Sequence, residues 1–530
     1  MRTEDRDKIL TELKSRIVES ALVRREHGAA SLAEMLAESI YFEDKRLRDE
    51  HDGRARDADR TFWSGIRREL AQANDKKLAH LLGQAVDHYG SEICGHFNEQ
   101  VYKVATRALP TGLNLLLNAV SPKRLLHSGP HLGGLEQSIV IQGETEHLRR
   151  LHELGTVLLC PTHVSNLDSL VIGFALHRLG LPPFSYGAGL NLFGNPLLAF
   201  FMHNLGAYTV DRRKMDPLYK EALKTYVTLS LEMGYDNLFF PGGTRSRSGG
   251  VERHLKLGLL GASIPAYVNN LVRGAKRPKV FVVPATLSMQ LVLEAETLID
   301  DFLQEVGKSR YIISDDEFSK PKRIFDFFVQ LFGLDSRIFF TLGRGFDVFG
   351  NPVDDDGQSL DPRGRAVDPM RYVLVDGTPR ALAQRDAEYT RELGEALAHS
   401  FMCDNVLQAT HVLAFALLQM LRRDNPTLDV VRLLRAGGKR DDVELLALYR
   451  EVDGLLERLG LLAQSGRLRL SPDLQATAAD EVVADGLKHF ATYHTKAAAT
   501  RRGDRVFADD RALLYYYANR VDGYELGRAP

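Results

Sequence analysis

The 530-residue sequence contains few cysteines, and their positions exclude the common cysteine-based frameworks. Cys94, Cys160 and Cys403 are the three, an odd number of widely separated residues without CxxC spacing. A disulfide framework or a structural zinc site is therefore not expected, and the cysteine usage fits a reducing compartment.

Long hydrophobic runs are also missing. No stretch reaches the ~18 apolar residues that a membrane-spanning helix needs. The charged N-terminus, Met1-Arg-Thr-Glu-Asp-Arg-Asp, has no apolar segment of the kind found in signal peptides. We therefore expect neither a signal peptide nor a transmembrane helix. The short apolar runs at 196–202 and 412–421 fit either a protein core or a membrane surface.

An excess of one charge is absent as well. The 68 lysines and arginines nearly balance the 70 acidic residues, giving a net charge of -2. This balance argues against a dedicated nucleic-acid binder. A chain of this length exceeds one ordinary hydrophobic core, so two or three domains are expected.

The hydrophobic pattern divides the chain into regions. Residues 1–135 have helical spacing, 351–380 are rich in turn residues and acids and read as an exposed loop, and 381–530 are again helical. Between them, 136–350 alternate short apolar runs with helical patterns; the strand candidates are 138–142, 156–160, 237–240 and 279–283. This alternation predicts an α/β domain with a central mixed, largely parallel sheet and flanking helices.

A histidine and an aspartate follow the second strand candidate at a spacing of five. His163 comes just after Pro161, and Asp168 lies where a helix begins. Ligands of open α/β sheets gather at the carboxyl ends of strands. His163 could therefore act as a general base oriented by Asp168. A purely structural histidine, or a nucleophilic Ser165 or Cys160, remains an alternative, although Ser165 lacks the Gly-x-Ser-x-Gly elbow.

Two further segments carry positive charge and open turns. After the strand candidate at 237–240, Pro241 and Gly242 lead into a run of backbone, hydroxyl and guanidinium donors that suits a phosphate: Gly243, Thr244, Arg245, Ser246 and Arg247. A solvated basic loop is the alternative. The segment 206–214 adds Arg212, which we expect to point into the same site, whereas Arg213 and Lys214 are expected to be solvated or near a polyanionic cosubstrate.

Four blocks in order now make the sequence resemble the glycerol-3-phosphate and 1-acylglycerol-3-phosphate O-acyltransferase superfamily. They are His163-x4-Asp168, which resembles the HX4D motif, and the segments 206–212, 240–249 and 282–288. The chain's length and long helical flanks, with weaker similarity at 289–298, 405–418 and 513–519, resemble the large glycerol-3-phosphate acyltransferase branch. Two positions depart from the pattern. Gly242 stands where the third block usually carries glutamate, and Asp211-Arg212 is closer to the 1-acylglycerol-3-phosphate enzymes.

The resemblance implies transfer of a fatty acyl group from acyl-CoA, as cosubstrate, to the sn-1 hydroxyl of glycerol 3-phosphate in phospholipid biosynthesis. His163 and Asp168 would be catalytic, and Arg212 with residues 243–247 would bind the acceptor. No metal and no further cofactor is implied, and nucleic acid is not an expected partner. The expected location is the cytoplasmic face of a membrane, bound peripherally through 190–202 or the N-terminal helices. A 1-acylglycerol-3-phosphate acyltransferase and a weakly active lipid-binding relative are the alternatives.

Overall fold

The computed structural model describes residues 3–26, 30–49, 53–104, 138–189, 204–306, 336–437, 440–475, 477–491 and 494–526. The candidate membrane segment at 190–202 lies outside these residues, as does the end of the N-terminal region from 105 to 135. None of the helices in the described ranges is both long and apolar enough to cross a membrane.

A seven-stranded sheet forms the centre of the fold, in the order β1-β7-β6-β2-β5-β3-β4. Its strands are β1 Ile139–Gly143, β2 Thr156–Pro161, β3 Ser185–Gly189, β4 Ala207–Val210, β5 Asn237–Leu238, β6 Val280–Met289 and β7 Ile338–Leu342. All neighbouring pairs are parallel except β6 and β7. The predicted α/β class with a mixed, largely parallel sheet is confirmed.

One predicted strand is longer in the structure than the sequence indicated. β6 continues past Val283 through Pro284 to Met289, whereas the proline predicted its end. A proline lacks the N–H group that a central strand uses for pairing. Here the carbonyl of Pro284 still accepts a hydrogen bond from the Gly343 N–H at 3.0 Å, and the residues after it pair with β7. The antiparallel β7 was not predicted at all.

Helices cover both faces of this sheet, and each layer packs in its own apolar cluster. In the described residues they are α1 Thr3–Glu26, α2 Leu32–Asp49, α3 Gly53–Leu70, α4 Asp75–Ile93, α5 Thr145–Leu154, α6 Asp168–Arg178, α7 Pro217–Glu232, α8 Leu257–Leu260, α9 Ser263–Val272, α10 Ala295–Val306, α11 Ala383–Cys403, α12 Ala409–Asp424, α13 Val430–Ala436, α14 Leu445–Gln464, α15 Pro472–Gln475, α16 Ala479–Phe490 and α17 Arg511–Ala518. Buried residues of α1, α2, α4, α7 and α9 pack in one apolar cluster with β2 and β6. Those of α6, α10, α12, α14, α16 and α17 pack on the other face. The C-terminal helices therefore extend the sheet's own core.

The N-terminal helices are held to the sheet by buried polar groups as well as by apolar contacts. The side chain of Lys214, which follows β4, is 3% exposed, and its ammonium group ion-pairs with Glu92 of α4. The same group lies 4.9 Å from the ring centre of Tyr89, a cation–π contact. The expectation that Lys214 is solvated was therefore wrong, because α4 covers it. Arg213, by contrast, is exposed and pairs with Asp211.

Short strands complete the chain outside the central sheet. The segment after residue 350 forms two small antiparallel pairs, β8 Ser359–Leu360 with β9 Ala366–Val367 and β10 Leu374–Val375 with β11 Thr378–Pro379. The C-terminal region adds β12 Val406–Leu407, β13 Asp442–Glu444, β14 Arg469–Leu470, β15 Thr500–Arg502 and β16 Arg505–Phe507.

Candidate active site

The segments singled out in the sequence meet at one edge of the sheet. β2 and β5 are parallel neighbours, and each ends directly before one of them. The carboxyl end of β2 leads to His163, and that of β5 leads to Phe240 and the turn that follows it. β4, which precedes Arg212, points the same way two strands further along. This is the edge at which parallel sheets bind ligands.

His163 and Asp168 form a hydrogen-bonded dyad. Nδ1 of His163 lies 2.8 Å from Oδ2 of Asp168. The same carboxylate oxygen accepts the backbone N–H groups of Val164 at 2.6 Å and Ser165 at 3.0 Å. The Asp168 side chain is completely buried, whereas 12% of the His163 side chain is exposed. Three donors thus fix the acid, and the acid fixes the imidazole.

This arrangement favours the form of imidazole that a general base needs. A carboxylate at Nδ1 places the ring proton there and leaves the Nε2 lone pair free. Burial lowers the pKa of His163 below its ordinary range, although the charge of Asp168 acts in the opposite direction. The imidazole is therefore neutral at physiological pH and able to accept a proton.

A buried glutamate joins the two motifs. Oε1 of Glu294, in the segment after β6, accepts the N–H of Asn166 at 3.0 Å and lies 3.2 Å from Nη1 of Arg245. Its other oxygen accepts a hydrogen bond from the Ser165 hydroxyl at 2.7 Å. Glu294 thus orients the Arg245 guanidinium and anchors the turn after His163.

The loop after β5 is also bonded directly to His163. The N–H of Ser246 donates to the carbonyl of His163 at 2.8 Å. The ring of Phe240 stacks on the imidazole with ring centres 4.0 Å apart and planes within 16°. Within the loop, Gly243 has a φ of 77°, a value that favours glycine, and its N–H closes a tight turn onto the Phe240 carbonyl at 3.0 Å. The backbone of Gly243 and of Ser246 therefore shapes the loop.

Cationic and hydroxyl groups remain for an anion at this edge. Partial desolvation and the like charge of Arg245 lower the pKa of Arg212. In the described ranges, no carboxylate pairs with Arg212. Thr244 is exposed at the tip of the turn. Arg247 differs, because it pairs with Glu305 of α10 at 2.9 Å.

The C-terminal end of the chain packs on the same loop. The side chain of Asn519 donates to the carbonyl of Ser248 at 2.8 Å. Gly249 has a φ of 80°, and a β-carbon there would lie 2.1 Å from the carbonyl oxygen of Tyr516. Beside it, the fully buried Arg520 donates to the side chain of Asn405 at 2.6 Å. Segments more than 250 residues apart in sequence therefore build one site.

The two nucleophile alternatives are not supported by the geometry. Cys160 is completely buried within β2, and burial raises the pKa of its thiol. Ser165 is also buried, and its hydroxyl donates to Glu294 and accepts the N–H of Leu167 at 3.2 Å. Neither side chain has the exposed, base-paired arrangement of an activated nucleophile.

Sequence reasoning missed two carboxylates in this site, Glu294 and Glu252. A weak signal existed for the first, because Glu294 is an isolated acid within the apolar run 291–295. The second, Glu252, lies ten positions after Gly242 and belongs to no recognisable motif.

Comparisons with known proteins agree with this geometry. Residues 142–288 match the family model described as Acyltransferase. A glycerol-3-phosphate acyltransferase of Aeromonas hydrophila is 33% identical over 154 residues, 29% of this chain and 18% of that protein. Another of Shewanella frigidimarina is 28% identical over 231 residues, 43% of this chain and 25% of that protein. The chain thus matches a quarter or less of the length of these relatives. Residues 142–288 therefore carry an acyltransferase domain that is similar to part of known glycerol-3-phosphate acyltransferases.

Proposed function

We propose that this protein is an O-acyltransferase that moves a fatty acyl group from acyl-CoA to the sn-1 hydroxyl of glycerol 3-phosphate, in phospholipid biosynthesis. The observation that carries the proposal is the His163–Asp168 dyad, whose imidazole pKa is lowered by burial and also by the positive charges of Arg245 and Arg212. A base next to an anion site suits deprotonation of a hydroxyl on a phosphorylated acceptor.

The acceptor phosphate would lie against Arg212, Arg245 and the residues of the turn at 243–247. Arginine binds phosphate through two parallel hydrogen bonds, so two guanidinium groups would orient the acceptor as well as hold it. Arg245 is already oriented by Glu294, which reduces the entropy lost on binding. Arg247 would join them by exchanging Glu305 for the phosphate.

The chemistry then needs no acyl-enzyme. Nε2 of His163 takes the hydroxyl proton as the acceptor oxygen attacks the thioester carbonyl carbon. The tetrahedral intermediate collapses by breaking the carbon–sulfur bond, and the leaving thiolate receives the proton from the imidazolium. Asp168 stays ionised throughout and stabilises the imidazolium.

The direct test offers acyl-CoA with a radiolabelled acyl chain to the purified full chain. Three acceptors are supplied separately: glycerol 3-phosphate, its 1-acyl form and dihydroxyacetone phosphate. We expect product with glycerol 3-phosphate. A preference for the 1-acyl form would favour the second candidate, 1-acylglycerol-3-phosphate acyltransferase, for which Asp211-Arg212 is the supporting feature. No product with any acceptor would leave a lipid-binding relative.

His163→Ala tests the mechanism within the same assay. We expect the rate to fall by about a hundredfold to ten-thousandfold, because a general base contributes that much. The matched control is His177→Ala, an exposed histidine on α6 whose loss should leave the rate unchanged. Full activity in a folded His163→Ala protein would refute the mechanism.

Peripheral binding to the cytoplasmic face of a membrane completes the proposal, because the acyl chain and the product are lipids. The apolar residues Ile9, Leu13 and Ile17 of α1 are buried in the core and therefore do not face a membrane. The contact with the membrane would be made by exposed residues. Flotation with anionic liposomes tests this: protein that stays at the bottom of the gradient at low salt would refute membrane binding.

A further inference from the structure

The carboxyl group of Glu252 occupies the space that a side chain at position 242 would fill. A β-carbon built on Gly242 would lie 2.5 Å from the carboxyl carbon of Glu252 and 2.6 and 2.8 Å from its two oxygens. Atoms that are not bonded do not approach so closely in a packed interior. A side chain at position 242 would therefore require the carboxyl group of Glu252 to leave its present place.

The same carboxyl group holds the backbone of His163. Its Oε1 accepts the N–H of His163 at 2.9 Å, while the N–H of Ser246 donates to the His163 carbonyl at 2.8 Å. Both backbone polar groups of His163 are therefore bound by one loop. With Phe240 stacked on the ring, that loop fixes the imidazole from three sides.

The second oxygen of Glu252 is buried and has no hydrogen-bond partner among the described residues. Burial raises the pKa of Glu252 to about 8; the His163 N–H acts against the shift, the charge of Asp168 adds to it, and Arg520 opposes it. A buried carboxyl group with one free oxygen costs folding free energy. Simple packing would be served better by an apolar residue, so the acid has another role.

We propose that Glu252 is a positioning residue for His163, supplying from the far end of the loop the carboxyl group that position 242 lacks. The inference rests on the proposed function, since His163 is the base in that reaction. The Glu252 oxygen holds the His163 peptide so that Nε2 faces the acceptor. Glu252 does not touch the reacting atoms. The departure at Gly242 is thereby a relocation of the acid.

Kinetic variants test this positioning. Displacing a catalytic group by about 1 Å costs about a hundredfold in rate, so Glu252→Ala should lower kcat about that much while the KM for the acceptor changes little. Glu252→Gln keeps an oxygen for the His163 N–H and should retain more kcat than Glu252→Ala. The matched control is Glu153→Gln, an exposed glutamate at the end of α5.

A double variant tests whether a glutamate at position 242 can replace Glu252. Glu252→Gly alone should lose kcat as Glu252→Ala does. Combining it with Gly242→Glu puts a carboxylate into the vacated space and should restore at least a tenth of the lost rate. Circular dichroism and thermal unfolding establish that each variant is folded. Unchanged kcat in folded Glu252→Ala, or no recovery in the folded double variant, would overturn the proposal.

An NMR measurement is independent of turnover. In protein labelled with ¹⁵N-histidine, the His163 amide is assigned by its disappearance in His163→Ala. Its proton shift should titrate near pH 8 as Glu252 ionises, and the step should vanish in Glu252→Gln. If no acceptor is acylated by the wild-type protein, the proposed function fails. The titration still reports whether Glu252 binds the His163 N–H. A His163 amide shift that is the same in the wild type and in folded Glu252→Ala at every pH would overturn the positioning proposal.

Discussion

Replacing Asp168 with asparagine separates the charge of the dyad from its geometry. The asparagine carbonyl oxygen can still accept the N–H groups that Asp168 accepts, from Val164, Ser165 and the His163 ring. Asp168→Asn should therefore fold, while the buried negative charge beside the imidazole is gone.

The size of the effect follows from the distance. With 2.8 Å between Nδ1 and Oδ2, the centres of the two charges are close together when the imidazolium forms. Unit charges about 4 Å apart interact by about 4 kcal/mol at an effective dielectric constant near 20. Losing that stabilisation in the transition state corresponds to a fall of about a thousandfold in kcat.

The pH profile provides a second measurement. Burial lowers the pKa of His163 and Asp168 raises it, so removing the carboxylate leaves the desolvation unopposed. The pKa moves further down, and the acid limb of kcat/KM should shift to lower pH. Activity is lost as pH falls through that pKa, because a protonated imidazole cannot accept the hydroxyl proton.

The radiolabel assay measures acyl transfer by Asp168→Asn across pH 5 to 9. The control is Asp453→Asn, a substitution at an exposed site on α14. The control should match the wild type. A folded Asp168→Asn protein whose kcat stays within tenfold of the wild type would refute the role given to the charge. An acid limb that moves to higher pH would refute the electrostatic reasoning.

Three further substitutions address the rest of the site. Arg212→Gln should raise the KM for the phosphorylated acceptor by about tenfold to a hundredfold, since a hydrogen bond to a charged group contributes about 1.5–3 kcal/mol; steady-state kinetics with unchanged KM would contradict this. Cys160→Ala should leave kcat unaltered, because the thiol is buried in a strand, and a loss of turnover in the folded variant would reinstate it as a nucleophile. Gly249→Ala should lower the free energy of unfolding in urea by about 2 kcal/mol or more, from its positive φ and the contact with the Tyr516 carbonyl; an unchanged midpoint would contradict it.

The sequence predicted the dyad because its two members are close along the chain. His163 and Asp168 are five positions apart across a strand-to-helix junction, so local structure alone brings them together. The turn after β5 was found for the same reason, since a buried strand and a proline announce it. That these two segments meet follows from β2 and β5 being neighbours, which a largely parallel sheet permits but does not dictate.

The carboxylates and the C-terminal contacts needed the fold. Glu294 reaches Ser165 across 129 positions, and Asn519 reaches Ser248 across 271. No spacing rule connects such distant residues, because their contact depends on how helices pack on the sheet. β7 was missed for a related reason: a short apolar run such as 338–342 fits a buried strand or part of a buried helix equally well.

The contacts around His163 also predict how the two halves of the site behave kinetically. The loop after β5 holds both the peptide and the ring of His163, so the anion-binding turn and the base form one rigid unit. A substitution of Phe240, whose ring stacks on the imidazole, should therefore displace the base and lower kcat, even though Phe240 adjoins the turn that would bind phosphate. Arg212 follows β4, which is separated from β2 by two strands. It acts on His163 through its positive charge, which lowers the pKa of the imidazole. Acceptor affinity and catalytic rate should thus be separable at Arg212 and inseparable within the loop.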